Sequence, residues 1–248
     1  MKKIIVTTSW DDGSPWDYKM ADLLDKYSLK GTFYVAKQHS RVILQPSDIK
    51  KLSMRHEIGA HTLTHPELDN IDQEQIFNEV VKSKKYLESI INEEVKMFCY
   101  PKGKFNRKIK QIVQSAGFVG ARTTQKFSVK LPSDLYEFGV TLQVYPFPFR
   151  KKNAEQYFKN IFLFEPLKNN YKKIRELDLP VSSFFSWYNL AINLFIFAQK
   201  KGEIFHLYGH SWEVEKYNMW KDLEMFFKYI KKDNGNIYLK NSESLDCF

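Results

Sequence analysis

Short apolar runs rich in β-branched and aromatic residues alternate along most of the chain with segments whose apolar residues recur at helical spacing. This alternation is the strongest limit on the fold. Residues 4–9 read as a strand, Met20, Leu23, Leu24 and Tyr27 as one face of a helix, and residues 31–36 as a second strand. Residues 46–54 and 73–91 then read as helices, 57–60 and 97–100 as strands, 107–116 as a helix closed by Gly117, and 118–121 as a strand. After a less regular stretch over 136–180, a buried helix ends near Gln199 and residues 203–208 form a clear strand. Met219, Leu223, Phe226, Phe227 and Ile230 mark an amphipathic helix, and residues 237–239 close the series. Alternation of this kind calls for a parallel sheet. Seven or so β/α units in 248 residues suit a distorted, closed or nearly closed (β/α) barrel of about seven strands better than an open α/β sheet.

No internal repeat, low-complexity tract or Gly/Ser/Pro linker divides the sequence, so residues 1–248 are expected to form a single domain. A hydrophobic content of 43% supplies an ample core. The formal charge of +9 raises the question of a nucleic acid or membrane surface. Only six of the 38 basic residues are arginine, however, and the runs at 150–152, 172–173 and 231–232 are scattered. They read as solvated surface, and no nucleic-acid partner is expected. Cys99 and Cys247 make neither a disulfide framework nor a CxxC metal site. The start MKKIIVTTSWDD has too short an apolar stretch for a secretory signal, which points to a cytoplasmic protein. Residues 181–198 are interrupted by Asn189, Asn193 and three serines, so they read as a buried helix and no transmembrane segment is expected.

Chemistry in β/α barrels gathers at the C-terminal ends of the strands. Asp11 and Asp12 follow the first strand, His61 and His65 the third, and Tyr100 to Gly103 the fourth. Arg122 follows the fifth, and His210, Trp212 and Glu213 the last long one. His61, His65, His206 and His210 fall in or beside these segments, and His39 and His56 lie elsewhere. Adjacent carboxylates repel, so Asp11 and Asp12 are either solvated in an Asp-Gly turn or held by something positive, such as a metal ion. The spacing of His61 and His65 puts both imidazoles on one side if residues 61–65 make a helical turn. Two imidazoles and a carboxylate suit a catalytic divalent metal.

TTSWDDG, HTLTHPEL, CYPKG and LYGHSWE, in that order from residue 7 to about 213, resemble the motifs of the polysaccharide deacetylase family, also called the NodB-homology family. The resemblance implies a NodB-like barrel that removes N- or O-acetyl groups from a glycan or glycan precursor. It implies Asp11 as general base and Asp12, His61 and His65 as ligands of a divalent metal, Zn²⁺ first among the candidates. Water activated by that metal would attack the carbonyl. The metal and the backbone N–H of Lys102 would stabilise the oxyanion, and His210 would protonate the leaving group. Trp10, Tyr100 and Trp212 are candidate platforms for a sugar ring. Many members carry an arginine that orients the base where Cys99 stands here, and Arg122 could supply a guanidinium from the next strand. The alternatives are an amidase acting on a non-sugar C–N bond and a carbohydrate-binding protein without turnover. Residues 143–200, with YPFPF at 145–149, read as a substrate-facing insertion, a subunit interface or plain core.

Overall fold

The computed structural model of the protein describes residues 3–151, 160–162, 171–232 and 235–247. Its first half is a regular series: β1 (Ile5–Asp11), α1 (Asp17–Lys26), β2 (Gly31–Val35), α2 (Pro46–Ser53), β3 (Glu57–Ala60), α3 (Gln73–Ile91), β4 (Met97–Cys99), α4 (Arg107–Ser115) and β5 (Gly120–Arg122). The second half holds β6 (Leu142–Gln143), β7 (Phe149–Lys151), β8 (Asn160–Phe162), α5 (Tyr171–Glu176) and α6 (Trp187–Lys201). It ends with β9 (Ile204–Gly209), α7 (Ser211–Lys216), α8 (Trp220–Ile230), β10 (Ile237–Tyr238) and α9 (Asn241–Leu245).

The strands lie in the order β5-β4-β3-β2-β1-β9-β6, all pairs parallel, with β10 paired to the start of β1. This curled sheet forms a half-barrel, consistent with the distorted (β/α) barrel of about seven strands that the alternation predicts. The segment before β6 spans its open side. Phe138 bridges in parallel to Arg122 and donates its N–H to Ala121 at 2.9 Å, while Thr141 donates to the His206 carbonyl at 2.8 Å. β7 and β8 form a separate antiparallel pair. The stretch 143–200, read as insertion, interface or core, lies partly outside the described residues, at 152–159 and 163–170. Its later part is core, because Trp187, Leu194 and Phe195 on α6 are buried and Phe195 packs edge-on against Phe205 and Phe226.

Local signals explain the best-matched elements. α3 starts in a capping box in which the Asp72 side chain accepts from the Gln75 N–H, and it buries Ile76, Val80, Leu87 and Ile91 at helical spacing. α6 begins later than residue 181. Val181–Phe184 form a 3₁₀ turn, and the Ser186 side chain caps the helix by accepting from the Asn189 N–H. Among the described residues no helix is long and apolar enough to cross a membrane.

Alternation along β1 sorts its side chains into two environments. Val6 and Trp10 join the large cluster that includes helix residues such as Leu24 and Val80. Ile5 joins a smaller cluster with Tyr34, Met97, Cys99, Phe138, Ile204 and Leu245, which fills the inside of the curl. Thr7, Ser9 and Asp11 share the inner face with Ile5, and α9 seals it: Asn241 donates to Thr7 Oγ1 at 2.8 Å and accepts from the Tyr34 hydroxyl at 2.9 Å. His206 belongs to this interior and not to the rim. One ring nitrogen lies 2.9 Å from Ser9 Oγ and the other 3.0 Å from the Gly139 carbonyl oxygen, so its role is structural.

Candidate active site

Asp11 and Asp12 are adjacent in sequence but occupy different surroundings. Asp11 ends β1 pointing inward, where it forms a fully buried ion pair with Arg122. Asp12 takes φ 80° and leaves the strand, followed by Gly13 at φ 67°. A Cβ on Gly13 would lie 2.8 Å from Val35 Cγ1, so the turn that separates the two carboxylates requires glycine there. Burial alone would raise the Asp11 pKa, but the charges of Arg122, His61 and His210 hold it below the usual carboxylate range. Burial likewise opposes ionisation of Asp12, and His210, His61 and the Trp212 hydrogen bond bring it down to about 2.

Three imidazoles face Asp12 Oδ1: His65 Nε2 at 3.6 Å, His61 Nε2 at 3.8 Å and His39 Nε2 at 3.8 Å. Residues 61–65 do not form the expected helical turn. Thr62 and His65 are left-handed, at φ 65° and 58°, and this bend folds the loop so that the two Nε2 atoms stand 3.1 Å apart. Glu79 on α3 holds the bend by accepting from the N–H groups of Leu63 at 2.8 Å and Thr64 at 2.9 Å, and from the Thr64 hydroxyl at 2.7 Å. His61 Nδ1 lies 2.8 Å from the Cys99 carbonyl, which fixes Nδ1 as the donor and leaves Nε2 with a free lone pair toward Asp12. Burial lowers the pKa of His39, His61 and His65, the last to about 4, so all three are neutral near pH 7.

The donor set suits a divalent cation. Ligands at about 2.0–2.1 Å around a tetrahedral ion stand roughly 3.3 Å apart, and the spacings of 3.1, 3.6 and 3.8 Å among His61, His65 and Asp12 bracket that value. Asp12, His39 and His65 form a second convergent set, as do Asp11, His61 and Cys99. The last is the poorest, because Asp11 is engaged by Arg122 and burial pushes the Cys99 thiol well up, keeping it protonated. Because Glu79 shapes the loop without touching the donors, Glu79→Ala is expected to weaken retention of a divalent ion by about 10–100-fold. Competition against a chelator measures this, and unchanged retention would mean that the loop holds its shape without Glu79.

His210 follows β9 on the other side of Asp12, its Nε2 4.0 Å from Asp12 Oδ2. Its Nδ1 is 2.7 Å from Glu213 Oε2, one turn along in α7. Burial works against protonation, but the Glu213 hydrogen bond and the charges of Asp11 and Asp12 raise the imidazole to about 9. α7 is tied to α1 by the Ser211 hydroxyl, which donates to Asp17 Oδ1 at 2.6 Å. Trp212 donates its indole N–H to Asp12 Oδ2 at 2.9 Å and supports the Arg41 guanidinium 3.8 Å from its ring centroid. A cavity of about 320 Å³ opens over this centre, lined by Asp11, Asp12, His61, His65, His210 and Trp212, with His39, Arg41, Lys102 and Lys126 among the remaining walls.

Several expected residues sit differently. Trp10 and Tyr100 are fully buried, and Tyr100 stacks on Phe105 with centroids 4.7 Å apart, so of the three aromatic platforms only Trp212 lines the cavity. Arg122 is likewise sealed from the cavity and reaches the centre only through Asp11, so it is not a substrate contact. Lys102 does line the cavity. It is left-handed at φ 55° in the turn Pro101–Gly103, and a Cβ on Gly103 would lie 2.0 Å from Thr124 Oγ1. His39, Arg41 and Glu79 are not singled out by the sequence, and Glu213 is placed at the rim there without a role. His39 and Arg41 follow β2, and counting every strand end as rim would have found them.

Residues 1–121 match the family model for polysaccharide deacetylase. A peptidoglycan-N-acetylglucosamine deacetylase of Bacillus cereus is 31% identical over 117 residues, covering 46% of this chain and 54% of its own length. Chitin deacetylase 1 of Cryptococcus neoformans is 30% identical over 111 residues, 44% of this chain and 23% of its own length. The chain thus spans about half or less of these curated relatives. The solved Xyl-CE4 domain of a multidomain xylanase from the hindgut metagenome of Trinervitermes trinervoides aligns with TM-score 0.60 and 14% identity, over 99% of this chain and 91% of its own. A CE4 family pseudoenzyme from Bacillus anthracis aligns with TM-score 0.58 and 16% identity, over 98% and 66% respectively. These two structures share the fold. One comes from an enzyme and the other is a pseudoenzyme, so the fold alone does not decide activity.

Proposed function

We propose, from the match of residues 1–121 to the polysaccharide deacetylase family model and the arrangement around Asp12, that the protein is a metal-dependent hydrolase of N- or O-acetyl groups on a glycan. The observation that carries this reading is the pairing of oppositely tuned groups across one cavity: an ionised carboxylate at Asp11 and a protonated imidazole at His210. Asp12, His61 and His65 are the proposed ligands of a divalent ion, with zinc as the first candidate. When bound, such an ion polarises the carbonyl and activates water.

The remaining steps fall to the side chains. Asp11, oriented by Arg122, takes the proton from the attacking water, and His210, oriented by Glu213, gives one to the departing amine or alcohol. The backbone N–H of Lys102 is the proposed donor to the oxyanion, and Trp212 offers its ring to the sugar. Acetate release from a panel of N- and O-acetylated oligosaccharides tests the reading. Ammonia or another amine in place of acetate would point to an amidase. Glycan binding without any product would make the protein a binding module.

The pH profile has a defined direction on both sides. Activity should fall on the alkaline side as His210 loses its proton near pH 9. On the acid side, loss of the base itself should come only below the ordinary carboxylate range, because Asp11 is held down. Arg122→Gln removes the principal charge opposing burial, so the Asp11 pKa should rise and the acidic limb should move to higher pH. A limb that stays in place, in a variant folded by circular dichroism, would show that Arg122 does not control the base.

A further inference from the structure

Arg41 is the least committed cation at the cavity. It lies in the loop after β2, which is pinned by Gln38 N–H donating to the Leu63 carbonyl at 2.7 Å and Leu44 N–H to the Gly13 carbonyl at 2.7 Å. Its guanidinium rests 3.8 Å from the Trp212 centroid. Among the described residues the only carboxylate within 4.0 Å is Asp12, whose Oδ2 is 3.8 Å from Arg41 Nη1, beyond hydrogen-bond length. That oxygen already accepts the Trp212 indole N–H, while Oδ1 faces the imidazoles. Stacking on an aromatic face uses none of the five guanidinium donors. The fork therefore stands oriented but unspent, with the side chain 48% exposed.

Arg41, Trp212 and Asp12 also form a shared wall. A second hollow of about 210 Å³ lies on its far side, formed by Ser14, Pro15, Trp16, Val42 and Ile43. Trp16 and Val42 are exposed there and offer apolar faces against which a sugar ring can lie. A glycan reaching from the catalytic cavity into this hollow must pass the guanidinium. A planar, rigid fork with open donors matches carboxylate or phosphate oxygens better than scattered hydroxyls.

We propose that Arg41, held over the Trp212 ring between the two hollows, binds a carboxylate or phosphate on the sugar unit next to the one that reacts, so that the substrate is an acidic acetylated glycan. The position of the reacting sugar rests on the deacetylase reading, but the binding of an anionic sugar by Arg41 does not.

Tryptophan fluorescence titration of the purified protein separates the two. The probes are neutral tetra-N-acetylchitotetraose, the hyaluronan tetrasaccharide of alternating N-acetylglucosamine and glucuronate, and N-acetylglucosamine with or without a 6-phosphate. Wild type should bind the hyaluronan tetrasaccharide, the phosphorylated sugar or both about 10-fold or more tightly than the neutral counterpart, with the preference shrinking as salt rises. Arg41→Met should bring acidic and neutral affinities together, and Arg41→Lys should restore part of the difference. The probe that shows the Arg41-dependent gain identifies carboxylate or phosphate as the group read. Equal affinities in wild type, or an acidic preference that survives Arg41→Met, would overturn the proposal. Acetate is measured in the same samples. An Arg41-dependent preference without acetate would sink the deacetylase reading alone, and acetate without any acidic preference would sink this inference alone.

Discussion

Asp11→Asn is expected to lower acetate release by about 10²–10⁴-fold, the usual worth of a general base, while leaving metal content unchanged. The substitution keeps the size of a side chain packed against Arg122 and Cys99, 3.9 Å from the thiol sulfur, but removes the oxygen that can take a proton. It also leaves the buried Arg122 guanidinium facing a neutral amide. Two of its nitrogens, Nε and Nη1, already lack a hydrogen-bond partner, so part of any loss will come from stability. Thermal melting separates that part from catalysis. His210→Ala, at the part-buried rim, should cost turnover in the same range with less effect on melting. If both variants release acetate at the wild-type rate, the proton transfers lie elsewhere.

The architecture was readable because each strand of a parallel sheet is a short apolar run bounded by turn residues, and the helices between them keep an uninterrupted apolar stripe. Where a strand is covered on both faces, the pattern says nothing about which side chains point inward. β1 is buried at all seven positions, so nothing in its sequence separates Trp10, which packs outward among helices, from Asp11, which points inward. The same loss of contrast in β9 put His206 among the rim residues. The fifth strand starts at Gly120 rather than 118 because Phe118 and Val119 are used to leave the Gly117 turn, Val119 N–H donating to the Lys96 carbonyl at 2.8 Å.

In the site, the residues legible from sequence are those that sit at strand ends: Asp11, Asp12, His61, His65, Lys102 and His210. The residues that hold them were not legible. Glu79 supports a loop 15 and 16 positions away, and Asp17 meets Ser211 across 194 positions, contacts that no local pattern encodes. The helical turn that the His61 and His65 spacing would allow is absent for a different reason. Spacing by four is compatible with a helix, but Thr62 and His65 adopt left-handed backbone that non-glycine residues seldom take. Such strained positions persist where surrounding bonds enforce them, and here the Glu79 carboxylate and the Thr62 hydroxyl, which accepts from the His65 N–H at 3.0 Å, do so.

The three imidazoles around Asp12 lead to the second large effect. His61→Ala and His65→Ala should each lose the divalent ion more completely than the 10–100-fold expected for an outer residue such as Glu79. Each removes a neutral donor nitrogen that faces Asp12. His39→Ala should have a smaller effect, because its Nε2 is as far from Asp12 Oδ1 as that of His61, yet His61 alone has its tautomer fixed by a backbone carbonyl. Metal analysis of the three purified variants after dialysis against a chelator decides the matter. Loss in His61→Ala and His65→Ala with retention in His39→Ala places the ion among Asp12, His61 and His65. Retention in His61→Ala with loss in His39→Ala would move it to the neighbouring set of Asp12, His39 and His65. In that case His61 would stand beside the base Asp11 and not on the metal.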